Sequence, residues 1–260
     1  MTKLIHIVPS AVLALLLTSS VHAAISFSDN FDSYADTKQL GNGSGQVGPY
    51  HTTSTAFVVT SGAGLSSSNA INTTSTSDRR AVRTDISGDL ADGAVTVSIF
   101  FNPDTSSSGL IELALYVTPT DGGSSRSGVR LNLASGNDNF SNIVNGAGSG
   151  FSSLGADLTV DNWYFFELVL TKSGSDVLAT GRIFNASAAG VVGSQVGSTY
   201  NTTLTAADVA TDTSISVGFR PSLDGQTDNF AASQVPEPAS LAMLGLAALM
   251  VAARRHRGQY

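Results

Sequence analysis

From residue 24 to residue 234 apolar and polar side chains alternate with a period of two in one short segment after another, and no stretch keeps an apolar spacing of 3.6 residues. Val95, Val97, Ile99 and Phe101 share one side of a strand, with Thr96 and Ser98 on the other. Val129, Leu131 and Leu133 alternate with Arg130 and Asn132, and Ile215, Val217 and Phe219 with Ser214, Ser216 and Gly218. Such strands have one buried and one wet face. Leu110 to Val117 and Trp163 to Leu170 are apolar on both faces apart from Glu112 and Glu167, which predicts central strands. Ile25 to Phe31, Ala56 to Thr60, Ala81 to Ile86, Leu178 to Asn185 and Asp228 to Ala232 add further strands, with a turn at Pro119 to Gly123. This many short strands predicts an all-β domain, a two-sheet antiparallel jelly-roll sandwich. Its core is expected to include Val97, Ile99, Leu131, Leu133, Phe165, Val169, Val217 and Phe219, and Trp163 is read as core as well. The segment Gly146 to Gly150 reads as a flexible turn, since a phosphate loop needs a lysine and a helix that are missing here.

The two ends break this pattern. Lys3 followed by the apolar run Ala11 to Leu17 and by Val21-His22-Ala23 has the charged, apolar, small-residue order of a secretory signal peptide, with cleavage expected between Ala23 and Ala24. At the other end Val235-Pro236-Glu237-Pro238 precedes the apolar run Ala239 to Ala253 and the basic group Arg254, Arg255, Arg257. Proline at the start of that run suits a helix N-terminus, and the arginines place the far end on the cytoplasmic side. The expected organisation is a signal peptide over 1–23, one domain over 24–234, and a tail with one hydrophobic transmembrane helix over 235–260.

This three-part tail resembles the PEP-CTERM sorting signal. The resemblance implies export, recognition by an exosortase-type processing enzyme in the membrane, and a final place at the cell surface or in an exopolysaccharide or biofilm matrix. The partners it implies are that enzyme, the export machinery and, before processing, the membrane through the C-terminal helix.

With both ends set aside, nine basic and nineteen acidic residues leave the domain a net charge near −10, which opposes binding to nucleic acid. The chain has no cysteine, so the fold rests on its core without disulfides, and thiolate chemistry is excluded. Of the four histidines only His51 lies within the domain, too few for a metal cluster or a convincing triad.

Asp29-Asn30-Phe31-Asp32-Ser33-Tyr34 near the start, Trp163-Tyr164 running into Glu167-Leu168-Val169-Leu170, and a closing Asp228-Asn229-Phe230 together resemble the concanavalin A-like and laminin-G-like jelly rolls. Those folds include both lectins and glycoside hydrolases. The laminarinase-like enzymes among them resemble one another in a Glu-x-Asp-x-x-Glu motif that is missing here, since Glu112 and Glu167 each stand without an acid in the next five residues. The reading is therefore a non-catalytic module that binds carbohydrate or another matrix component. A divergent polysaccharide hydrolase or lyase and a purely structural surface protein are the alternatives.

Glu112, Tyr116 and Arg130 are the candidate ligand-binding residues, because Glu112 and Tyr116 share a strand face and Arg130 lies on the polar face of the next strand. They form either a sugar-contacting cluster or a cross-strand ion pair on a solvated sheet. Calcium is the one cofactor carried forward. In the resembled folds the first and last strands often lie side by side, which would bring Asp29 near Asp228.

Overall fold

The computed structural model describes residues 24–41, 43–52, 57–74, 80–104, 108–120, 125–134 and 136–236. The expected signal peptide and hydrophobic helix lie outside the described residues. Among the described residues no helix is long and apolar enough to cross a membrane.

Among the described residues seventeen strands form two sheets. The ten-stranded sheet runs in the order β15 (Val192–Leu204), β14 (Asp176–Ala186), β13 (Tyr164–Ser173), β8 (Gly93–Pro103), β17 (Asp224–Pro236), β6 (Ala70–Thr74), β5 (Val58–Thr60), β2 (Gln39–Leu40), β3 (Gln46–Val47), with β1 (Ser26–Asp29) also on β17. The seven-stranded sheet runs β12 (Ala147–Ser153), β11 (Asn139–Val144), β10 (Arg126–Ala134), β9 (Ser108–Tyr116), β16 (Ser216–Ser222), β7 (Ala81–Arg83), β4 (Tyr50–Thr52). Pairing is antiparallel throughout except between β2 and β3. The chain passes back and forth between the layers, β7 to β8 to β9 and β15 to β16 to β17, which gives the two-sheet antiparallel jelly roll that the alternation predicts.

The core fills the space between the sheets. Val95, Val97, Ile99 and Phe101 of β8 meet Ile111, Leu113 and Leu115 of β9 and Val129 and Leu131 of β10, all fully buried. Each side chain of this size contributes about 1.5–3 kcal/mol on leaving water. At one end Phe31, Tyr50, Phe57, Phe219 and Phe230 pack with centroid spacings from 4.7 to 6.4 Å.

Two expectations need correction. Phe165 and Val169 do not face the core; Tyr164, Phe166, Leu168 and Leu170 do, and the Phe166 ring reaches Phe140 of β11 across the sandwich at 6.2 Å. The whole strand is apolar, so period two by itself leaves two phases open, and Glu167 marks the outer one by lying in phase with Phe165 and Val169. Trp163, 9 % exposed, belongs to a small outer cluster with Leu65 and Phe100. Secondly, Gly146 to Gly150 is largely strand. Asn145 and Gly146, with φ of 46° and 82°, make a tight hairpin turn, and β12 follows as an edge strand paired to β11 although every one of its residues is exposed.

Candidate functional site

On the outer face of the seven-stranded sheet the structure assembles Glu112, Tyr116 and Arg130. Arg130 of β10 and Arg220 of β16 are the register partners of Glu112 on either side. The carboxylate is fully buried. Its Oε1 accepts from Arg126 Nε at 2.6 Å, and its Oε2 from Arg130 Nη2 at 3.1 Å and Arg220 Nη1 at 3.5 Å. Tyr116 lies further along the same face, against Val82 and Ala114. Gly218 on the next strand leaves room for its ring, since a Cβ there would stand 2.8 Å from it. The Tyr116 hydroxyl is buried with no hydrogen-bond partner among the described residues, and burial, with Glu112 nearby, pushes its ionisation far up.

The three residues meet as expected, but their roles divide. At 0 % and 1 % exposure Glu112 and Tyr116 are both buried, Glu112 beneath guanidinium groups, so a ligand on this face meets Arg130 or Arg220 rather than the carboxylate or the ring. The ion pair is correspondingly not the solvated one expected on a wet sheet. It is a buried carboxylate held by charge-assisted bonds that offset its desolvation.

The two calcium candidates are kept apart. β1 does lie beside β17, with Asp29 opposite Phe230. Asp29 turns toward the aromatic end of the core, where Oδ2 accepts from the Tyr34 and Tyr50 hydroxyls, Oδ1 accepts from Phe31 N at 3.0 Å, and Arg83 stands 3.5 Å away. Burial and the Asp29 carboxylate push both tyrosines up. Asp228, opposite Phe100, turns to the outer face and accepts from Leu65 N and Ser68 Oγ, both at 2.9 Å, and from Asn229 N at 2.6 Å. Regular alternation would place Asp228 on the same face as Phe230 two positions on, but β17 bulges between Asp228 and Ala231, with Asn229 at a φ of 48°. Asp228 therefore faces out while Phe230, opposite Asp29, faces in, and adjacency of the strands does not bring the two carboxylates to one ion. Among the described residues no group of three His, Asp or Glu side chains is placed to hold a metal.

The feature that sequence reasoning missed is a groove on the outer face of the ten-stranded sheet. Phe100, Phe165 and Phe184 form a row across β8, β13 and β14, with centroids 4.8 and 6.2 Å apart. In the next row Glu167 sits between Ser98 and Arg182, ion-paired to Arg182. A cavity of about 560 Å³ opens beside the rings. Its floor is Ser28, Ser98 and Ala231, its aromatic wall Phe100 and Phe165, and its remaining lining Asn30 and Asn229. A second cavity of about 320 Å³ shares Ser28, Ser98 and Ala231 and extends the groove toward Thr96 and Ser233. The signal for it was in the sequence twice: an outer phase of phenylalanines on strands apolar on both faces, and the tripeptide Asp-Asn-Phe at both ends of the domain. In each tripeptide the phenylalanine (Phe31, Phe230) is core, the aspartate is a hydrogen-bonded anchor, and the asparagine (Asn30, Asn229) lines the groove. Asn229 adopts a left-handed φ of 48°, which asparagine tolerates better than most residues.

Residues 234–257 match the PEP-CTERM protein-sorting motif. No curated protein matches the chain. Among solved structures, the enzymatically active domain of tailspike protein 2 from bacteriophage CBA120 is 12 % identical at a TM-score of 0.48, over 80 % of this chain and 31 % of that one, so the chain spans about a third of its length. Lectin II from Ulex europaeus is 13 % identical at a TM-score of 0.46, over 80 % of this chain and 96 % of the lectin. The PL-14 alginate lyase from Aplysia kurodai is 11 % identical at a TM-score of 0.45, over 82 % of this chain and 100 % of the lyase. The chain is thus a two-sheet antiparallel jelly roll that carries a PEP-CTERM protein-sorting motif, an exported protein sorted to the cell surface.

Proposed function

We propose that the domain is a non-catalytic carbohydrate-binding module of the cell surface or extracellular matrix, and that it takes its ligand in the groove of the ten-stranded sheet. The observation that carries this reading is the pairing of an aromatic wall, Phe100 and Phe165, with the uncharged polar groups of Ser28, Ser98, Asn30 and Asn229 around one open cavity. A pyranose has an apolar ring face and a rim of hydroxyls, and this lining offers a partner to each. The carboxylates beside the groove are engaged, Glu167 by Arg182 and Asp228 by Leu65 N, Ser68 Oγ and Asn229 N, which suits a neutral sugar.

The arrangement of glutamates also favours binding over hydrolysis. Glycosidases place two carboxyl groups roughly 5 to 9.5 Å apart across one bond. Glu112 and Glu167, by contrast, lie on the outer faces of different sheets, each ion-paired to arginine. Before processing, the apolar run Ala239 to Ala253 holds the chain in the membrane, and the exosortase-type enzyme then releases the domain to the surface.

The test is a glycan array on the chain comprising residues 24–236, with reducing-sugar release measured on the same glycans, followed by calorimetric titration of the best ligand. Binding without release is the expected outcome, and Phe165→Ala should weaken it by on the order of 1–2 kcal/mol with the melting temperature nearly unchanged. Unchanged affinity in the folded variant would move the site elsewhere. Sugar release by the wild type would favour the hydrolase or lyase, and no binding to any glycan the structural protein.

A further inference from the structure

The match to the sorting motif begins at residue 234, and in the structure that residue is a clasp. Gln234 is 9 % exposed and uses both ends of its amide on backbone. Its Oε1 accepts from Ile25 N at 3.2 Å, while its Nε2 donates to the carbonyl oxygens of Asp89 and Gly93. Its own N–H donates to Ile25 O at 2.8 Å. One side chain thereby ties three pieces of chain together: the start of the domain, the Leu90–Asp92 turn that leads into β8, and the end of β17. Gly88 stands close by, where a Cβ would meet Ile25 at 2.7 Å, so the packing around the clasp is tight.

The strand does not stop there. Val235 pairs with Ala94 and Pro236 with Gly93, so the first half of Val235-Pro236-Glu237-Pro238 is part of the sheet. An enzyme that accepts a peptide segment in its own cleft needs that segment free of other backbone partners, since a backbone group can satisfy only one such register at a time.

We propose that Gln234 is a positioning residue for sorting: it fixes where the folded strand ends and the processed tail begins, so that the processing enzyme gains Val235-Pro236 only when the last two rungs of β17 against β8 open. The domain then presents its tail at a rate set by local opening at this corner. Both ends of the domain meet at the corner, because Ile25 follows the expected cleavage point at Ala23 and Ala24 by one residue.

The experiment follows conversion of precursor to processed protein by mass, with the full-length chain expressed in cells carrying the cognate processing enzyme. Gln234→Ala removes the side-chain bonds and should speed conversion about ten-fold, the factor corresponding to roughly one net hydrogen bond of local stability. A variant at least as destabilised globally but placed four strands away in the sheet, Leu204→Ala on β15, should convert at the wild-type rate. The reverse test locks the corner. Ala94→Cys with Val235→Cys joins direct partners across an antiparallel pair, a spacing that disulfides bridge, in a chain that has no other cysteine. Conversion should fall at least about ten-fold while the bridge is closed and return on mild reduction. Processing of the locked chain at the wild-type rate would overturn the proposal, and so would a Gln234→Ala variant no faster than wild type or than Leu204→Ala.

Discussion

Glu112 is fully buried with three guanidinium groups within 3.5 Å, so its charge is part of what holds the middle of the seven-stranded sheet. Replacing it by glutamine keeps the volume but removes the one anion the three arginines share. Breaking a buried pair in this way costs about 3–5 kcal/mol. Urea denaturation of Glu112→Gln should show a loss of that order, whereas a loss under about 1 kcal/mol would mean that the cluster is solvated. Asp228 works in the opposite sense. Burial outweighs its three hydrogen bonds and pushes its ionisation up to about 6, above the ordinary aspartate value of 3.8. The folded state therefore holds its proton more tightly than the unfolded chain. The stabilisation is full below about pH 4 and is lost as pH rises through 6. Asp228→Asn has no such proton to bind. Its stability deficit relative to wild type should be larger at pH 4.5 than at pH 7, by on the order of 1–2 kcal/mol, in paired thermal melts. A deficit independent of pH would show that Asp228 ionises normally.

At the scale of the element, β13 shows how far a pattern reaches. Its residues read as a central strand, and it is one, between β8 and β14. Which side faces in was harder to read, because phenylalanines occupy both phases. The charged residue in phase with Phe165 was the better guide, and the interior went to the phase holding Phe166. Phe166→Ala should cost about 3–5 kcal/mol, as a large buried ring leaves a cavity. Phe165→Ala should cost much less and act on ligand binding, so a larger loss of stability for Phe165→Ala in chemical denaturation would reverse the assignment. β12 marks the other limit. Gly, Ser and Ala carry no strand signal, and the segment is a strand only because β11 offers it a backbone ladder. The sequence signals for β8, β10 and β16 were strong because apolar residues alternate with polar or small ones along most of each, and there the expected core positions Val97, Ile99, Leu131, Leu133, Val217 and Phe219 are all buried.

For the molecule as a whole, β17 joins the parts with function. One flank receives β1 and β6 and the other β8, its middle lines the groove through Asn229 and Ala231, and its end enters the sorting motif. The groove therefore lies beside the corner from which the tail departs. Local alternation was enough to determine the fold class and most strands, because a period of two follows from the backbone of a single strand. The sorting motif was likewise contiguous and could be read directly. The rest depended on partners distant in sequence. Burial of Glu112 required Arg126, Arg130 and Arg220 to converge from two neighbouring strands. The separation of Asp29 from Asp228 required the bulge in β17 between Asp228 and Ala231. The groove required Asn30 and Asn229 to meet the outer phenylalanines of β8 and β13. Register and the choice of inner face are set by packing between the sheets, which no single segment contains, so only the tertiary structure decided them.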